Sequence, residues 1–186
     1  MLAAALPCCR PDTPSAALPV LFELPPFSLV ERSGRPFTRE DLRGRVSVAD
    51  FVFTRCAGVC PAMTGRMARL RAALPADVRL VSFTVDPDHD TPAVLRRYAE
   101  PLNAGQQWLF VTGGRTELHR LATEGFKLAA METPDDRAAE EGPFLHSSKF
   151  ALLDGQARVR GYYDSDDAAQ LEALPLHARR LWEEGR

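Results

Sequence analysis

The run Val46-Ser47-Val48-Ala49-Asp50-Phe51-Val52-Phe53 leads without a break into Thr54-Arg55-Cys56-Ala57-Gly58-Val59-Cys60-Pro61, and this junction constrains the fold more than any other stretch of the chain. Branched and aromatic residues bounded upstream by Gly44 fit a buried central strand. Beyond the loop, Met63, Met67, Leu70 and Leu74 recur at helical spacing, with Pro61 suited to the first helical position and Pro75 to the end. A strand enters a two-thiol loop and a helix leaves it. That is the unit of an α/β protein.

The same alternation continues downstream. Val78 to Val85 reads as a strand and Thr91-Pro92 opens a helix to about Glu100. Trp108 to Val111 reads as a strand, and Arg115 to Thr123 as a helix. Ser147 to Leu153 and Ala157 to Tyr162 flank the turn signal Asp154-Gly155. A closing helix is expected from Asp166 to Trp182, turning Ala169, Leu171, Leu174 and Leu181 inward. Upstream, Phe27 to Val30 reads as a short strand and Phe37 to Leu42 as a turn of helix that Gly44 ends. Met131 to Gly142, acidic and broken by Pro134, reads as a solvated excursion. Together these imply a parallel or mixed sheet with helices against it.

Composition sets the outer limits. At 186 residues and 45% apolar, the chain is long enough for one domain with a real core. Residues 1–19, proline-rich after Pro7, read as a flexible lead-in, and residues 20–186 as the domain. A net charge of −2 with interspersed signs excludes a basic stripe for nucleic acid. Met1 to Pro7 is apolar but short and carries no basic residue, so neither an export signal nor membrane attachment is evident in this sequence. Pro7 also stands where a lipidation box at Cys8 would need a small residue. The four cysteines form two close pairs, Cys8/Cys9 and Cys56/Cys60, too few and too clustered for a disulfide framework.

Cys56 and Cys60 carry the chemistry. At a helix start, unpaired amides and the positive end of the helix dipole favour thiolate, and Arg55 adds to this. Gly58 lets the loop fold tightly enough to bring both sulfurs to one centre. Such a pair can bind a soft metal or cycle between dithiol and disulfide. Two ordinary buried cysteines remain a third reading. A peroxidase would need one activated thiol, and nothing in the sequence marks either as such.

Three ordered segments resemble one family. Phe51 to Pro61 is similar to the strand and C-x-x-x-C-P motif of the SCO/SenC copper-handling proteins. Val85-Asp86-Pro87-Asp88-His89-Asp90-Thr91-Pro92 resembles their D-P-x-x-D-T segment, and Phe144-Leu145-His146-Ser147-Ser148 resembles the segment of their ligand histidine. The resemblance runs from about Phe22 to Trp182. It implies a thioredoxin-like fold: a central mixed β-sheet flanked by helices, with an N-terminal strand or hairpin extension.

The resemblance also implies one copper per monomer, as Cu(I) or Cu(II), held by Cys56, Cys60 and His146. Such a protein assists assembly of the CuA centre of cytochrome c oxidase, with subunit II or another copper or thiol protein as partner. Its place would be the periplasm or cell envelope. The alternative is a thiol:disulfide oxidoreductase whose catalytic pair is Cys56 and Cys60, with no obligatory metal. Asp86, at the end of a strand beside the cysteine strand, is a candidate to orient the loop or stand behind the metal. Asp90 reads as a turn and capping residue. Met63 and Met67 read as core, and His89, His119 and His177 as surface or packing residues.

Overall fold

The computed structural model describes residues 17–56, 58–128 and 147–186. Eight strands form one sheet: β1 (Phe22–Glu23), β2 (Ser28–Glu31), β3 (Pro36–Thr38), β4 (Ser47–Val52), β5 (Arg79–Thr84), β6 (Trp108–Thr112), β7 (Lys149–Leu153) and β8 (Arg158–Asp164). Their spatial order is β1-β8-β7-β4-β5-β6-β2-β3. β4, β5 and β6 are parallel neighbours, and the remaining pairings are antiparallel, so the sheet is mixed. The helices are α1 (Val59–Ala73), α2 (Pro92–Ala99), α3 (Arg115–Arg120) and α4 (Ala168–Glu184).

Alternation along β4 divides the core in two. On one face Val48 and Val52 pack with Leu80, Trp108, Phe110 and Phe150 against Met63, Met67 and Leu70 of α1, Leu95 of α2 and Leu174 and Leu181 of α4. On the other face Ala49 and Phe51 join Val81, Phe83 and Val111 against Leu118 of α3 and Phe126. Phe83 is the hub of this second cluster, with ring centroids 5.3 Å from Phe51, 5.6 Å from Phe126, 6.2 Å from Phe27 and 6.3 Å from Phe37. Aromatic pairs at such spacings add to area burial.

Several local expectations shift. Phe37 and Thr38 are extended, because Phe37 pairs with Leu29 in a β2–β3 hairpin and buries its ring. The helical turn is a short 3₁₀ segment, Arg39–Leu42, closed by a capping box between Thr38 and Asp41. α1 starts two residues before Pro61, so Cys60 lies in its first turn. α3 passes into a π-helical turn, Leu121–Gly125, which carries Leu121 and Ala122 into the core. α4 runs through Pro175 without a break. The segment Met131 to Gly142 lies outside the described residues. So does the cysteine pair Cys8/Cys9.

The outer side of β8, paired with β1, is also tied to the chain that enters β1. Buried Arg160 donates to the carbonyls of Leu18 and Pro19 and to Asp154 Oδ2 at 2.9 Å. Burial opposes the Asp154 charge, but Arg158, two backbone amides and Arg160 outweigh it and hold its carboxyl below the usual range.

Phe83→Ala removes the hub of one core face. It is expected to lower unfolding free energy by about 3–5 kcal/mol, measured by urea denaturation, with little effect on far-ultraviolet circular dichroism at low denaturant.

Candidate metal and thiol site

β4 delivers the thiol loop to the edge of its own core face. The chain leaves β4 at Val52, turns through Thr54 and Arg55, and re-enters regular structure at Val59. The Cys56 amide donates to the Phe53 carbonyl at 3.3 Å. The Cys60 amide, one of the otherwise unpaired donors of the first turn of α1, points at Cys56 Sγ at 3.4 Å. Both cysteines are free thiols. Cys56 is 8% exposed and Cys60 1%, so the first sulfur is the more accessible.

The expectation that the helix start favours thiolate at both positions is corrected for Cys60. Burial pushes its thiol well above the ordinary value, and the neighbouring Cys56 sulfur and the charge of Asp50 push the same way. Desolvation is the largest cause, because Cys60 is 1% exposed within the core cluster. The two thiols are therefore unlike. Cys56 has a helix amide aimed at it, and Cys60 is the more deeply buried of the two.

Two carboxylates from the β5–α2 connection hold the loop. Asp90 is fully buried. Its Oδ2 accepts from the Thr54 amide at 3.1 Å and from the Thr84 hydroxyl at 2.5 Å, and its Oδ1 accepts from the Thr54 hydroxyl. Thr84 Oγ1 in turn accepts the Asp86 amide at 2.9 Å. The reading of Asp90 as a capping residue is thus only partly right. Its amide closes a turn onto the Asp86 carbonyl at 2.9 Å, but the cap of α2 is Thr91, whose hydroxyl accepts from the Val94 amide. The Asp90 carboxylate is spent on pinning the thiol loop to the end of β5.

Asp86 is 1% exposed and receives Arg55 Nε at 3.0 Å and Nη2 at 2.6 Å on one oxygen. A buried carboxylate needs such a partner to offset its desolvation. Arg55 is half exposed and adjoins Cys56, so Asp86 fixes a positive group at the mouth of the thiol site. Met63 and Met67 are fully buried core residues. His177 Nδ1 lies 2.7 Å from Tyr163 Oη, a packing contact. His146 lies outside the described residues. The described chain resumes at Ser147 and enters β7 at Lys149. Because β7 runs antiparallel to β4, its start lies at the end of the sheet from which the thiol loop leaves.

Sequence reading passed over Asp50, which the fold makes conspicuous. It sits in the middle of β4 on the same face as Val48 and Val52, fully buried, opposite Ser82 of β5. Neither carboxylate oxygen has a hydrogen-bond partner within bonding distance among the described residues. Burial raises its pKa to about 7, with the nearby Ser82 hydroxyl offsetting this only in part. Tyr98 lies near Asp50 and the two cysteines. Its hydroxyl meets Thr64 Oγ1 at 2.9 Å, and burial raises its pKa to about 12, with Cys60, Asp50 and Cys56 adding to the rise. The available signal was an acidic residue inside an otherwise apolar central strand.

Comparison with known proteins gives one consistent result. Residues 21–177 match the family model SCO1/SenC. A putative copper-binding protein of Stutzerimonas stutzeri is 35% identical over 146 residues, covering 75% of this chain and 68% of its own. Among solved structures, a SCO1/SenC family lipoprotein from Bacillus anthracis matches with a TM-score of 0.77 at 31% identity, covering 86% of this chain and 95% of that one. BsSco, a member of the Sco family of cytochrome c oxidase assembly proteins with an identified disulfide switch, matches with a TM-score of 0.72 at 31% identity. That match covers 86% of this chain and 93% of BsSco.

The buried Asp50 makes stability depend on pH. Its folded pKa is raised, so the folded state binds the extra proton between the ordinary carboxylate range and about 7, and stability falls as pH rises through that window. The melting temperature of metal-free protein is expected to drop between pH 5 and 7.5. Asp50→Asn should flatten that slope, as read by differential scanning calorimetry.

Proposed function

Because this chain belongs to the SCO1/SenC family, we propose that it binds copper through Cys56, Cys60 and His146 and delivers it during assembly of the CuA centre of cytochrome c oxidase. The observation that supports this most is the thiol loop itself: two reduced cysteines joined through the Cys60 amide and held from behind by Asp90 and Asp86. The donor set suits the cargo. Two thiolates select Cu(I), and a neutral imidazole added to them extends the site to Cu(II). Loading displaces the thiol protons.

The placement of Ser147 and Lys149 at the thiol end of the sheet supports His146 as the third ligand. The half-exposed Arg55, fixed by Asp86, gives the rim of the site a positive group that a partner's acidic surface would meet. A partner of this kind calls for a cell-envelope location, a reading supported by similarity to a SCO1/SenC family lipoprotein of B. anthracis.

The asymmetry of the two thiols favours a second reading. In a thiol:disulfide oxidoreductase, Cys56 attacks a partner disulfide as thiolate and Cys60 then displaces the partner. The partner leaves as dithiol and this chain as disulfide, with two electrons passed. BsSco, with its disulfide switch, is consistent with such a cycle.

Titration of reduced protein with copper separates the readings. Wild type is expected to take up one equivalent. Cys56→Ser and Cys60→Ser should lose stoichiometric binding, and His146→Ala should lose the visible thiolate absorption of the Cu(II) form. Asp86→Asn should weaken affinity about tenfold, as loss of a supporting group does. Wild type that binds no copper, together with disulfide reduction that survives His146→Ala and chelators, would establish the oxidoreductase instead.

A further inference from the structure

The end of the sheet opposite the thiol loop holds a cavity of about 660 Å³, walled by the β2–β3 turn, the approach to β4 and the start of β5. Four arginines line it, Arg32, Arg35, Arg45 and Arg79, against two carboxylates, Glu31 and Asp41. Both carboxylates are occupied locally. Glu31 Oε2 accepts the Ser33 amide at 2.7 Å, and Asp41 Oδ2 accepts the Thr38 amide at 2.8 Å and the Thr38 hydroxyl at 3.1 Å. Glu31 also lies 3.6 Å from Arg32.

The arginines are less well served. Arg35 and Arg45 have no side-chain ion-pair or hydrogen-bond partner among the described residues. Arg79 donates to the Asp41 carbonyl, which carries no full charge, and one Arg32 guanidinium nitrogen is buried with no hydrogen-bond partner. Burial lowers the Arg79 pKa below the ordinary arginine value, with the like charge of Arg45 next and that of Arg35 also contributing against Asp41. Cations crowded in this way repel one another unless an anion joins them. The local excess of positive charge stands out in a chain whose net charge is −2.

We propose that this cavity binds a phosphate group, with Arg35, Arg45 and Arg79 as its ligands. The three come from separate segments, the β2–β3 turn, the lead into β4 and the first residue of β5, and line one cavity. A tetrahedral oxyanion can offer an oxygen to each, whereas a planar carboxylate offers only two. Guanidinium forks suit phosphate oxygens. The phosphate is either free, as inorganic phosphate or a phosphomonoester, or the headgroup of an anionic lipid. The site is distant from the thiols, so it is independent of copper binding.

Thermal unfolding tests the site with inorganic phosphate as probe and sodium chloride holding ionic strength constant. Wild type is expected to melt on the order of 3 °C higher when phosphate is about tenfold above its dissociation constant. Arg35→Gln/Arg45→Gln, both at exposed positions, should lose that shift while keeping its copper stoichiometry. Arg97→Gln/Arg179→Gln, which removes two exposed arginines of α2 and α4, should keep the shift and so controls for net charge. Cosedimentation with phosphatidylglycerol vesicles, compared between wild type and the double variant, distinguishes the lipid source from the free one. The proposal is overturned if wild type shows neither a phosphate shift nor arginine-dependent vesicle binding, or if the double variant keeps both.

Discussion

Pairing of β4 with β5 over six residues, from Ser47 opposite Arg79 to Val52 opposite Thr84, is the constraint from which the rest of the structure follows. Parallel pairing sends both strands out at the same end. The thiol loop after β4 and the aspartate turn after β5 therefore meet, although Thr54 and Asp90 are far apart in sequence. The same six rungs fix which side chains of β4 face α1 and which face α3. A slip of one residue would turn Val48 and Val52 to the wrong face and carry Thr54 out of reach of Asp90. Asp90 and Thr84 act as a lock on this register at the end where the chemistry sits.

Charge is handled differently at the two ends of the sheet. At the thiol end, carboxylates are buried and largely partnered: Asp86 by Arg55, and Asp90 by two threonines and an amide. Asp50 lacks such partners, and burial raises its pKa to about 7. Together with Cys60 it makes the floor of the site a place where negative charge is costly. At the other end, guanidiniums crowd around a cavity without enough carboxylate to balance them.

The order of elements was legible because a short run of branched and aromatic residues bounded by Gly44, Val46 to Phe53, differs from residues recurring at helical spacing, as at Met63, Met67 and Leu70. The boundaries that moved did so for tertiary reasons. Phe37 is drawn into a strand because pairing with Leu29 buries its ring beside Phe83, a gain that local helix signals do not register. α1 starts ahead of Pro61 because the first turn needs no amide hydrogen bonds of its own. Asp90 looked like a capping residue because the turn and Thr91-Pro92 lie next to it. Only the neighbouring strand showed what its carboxylate holds.

The sequence by itself determined the strand–loop–helix unit, the two-thiol loop and the apolar face of α1, because these rest on local propensity and on spacing along one segment. The tertiary structure decided the inequality of the two cysteines. Cys60 is pushed up by burial under neighbouring elements, which no local dipole argument could weigh. It also decided the roles of the three carboxylates Asp50, Asp86 and Asp90. What each does depends on the depth at which the sheet holds it and on the partner that the next strand brings.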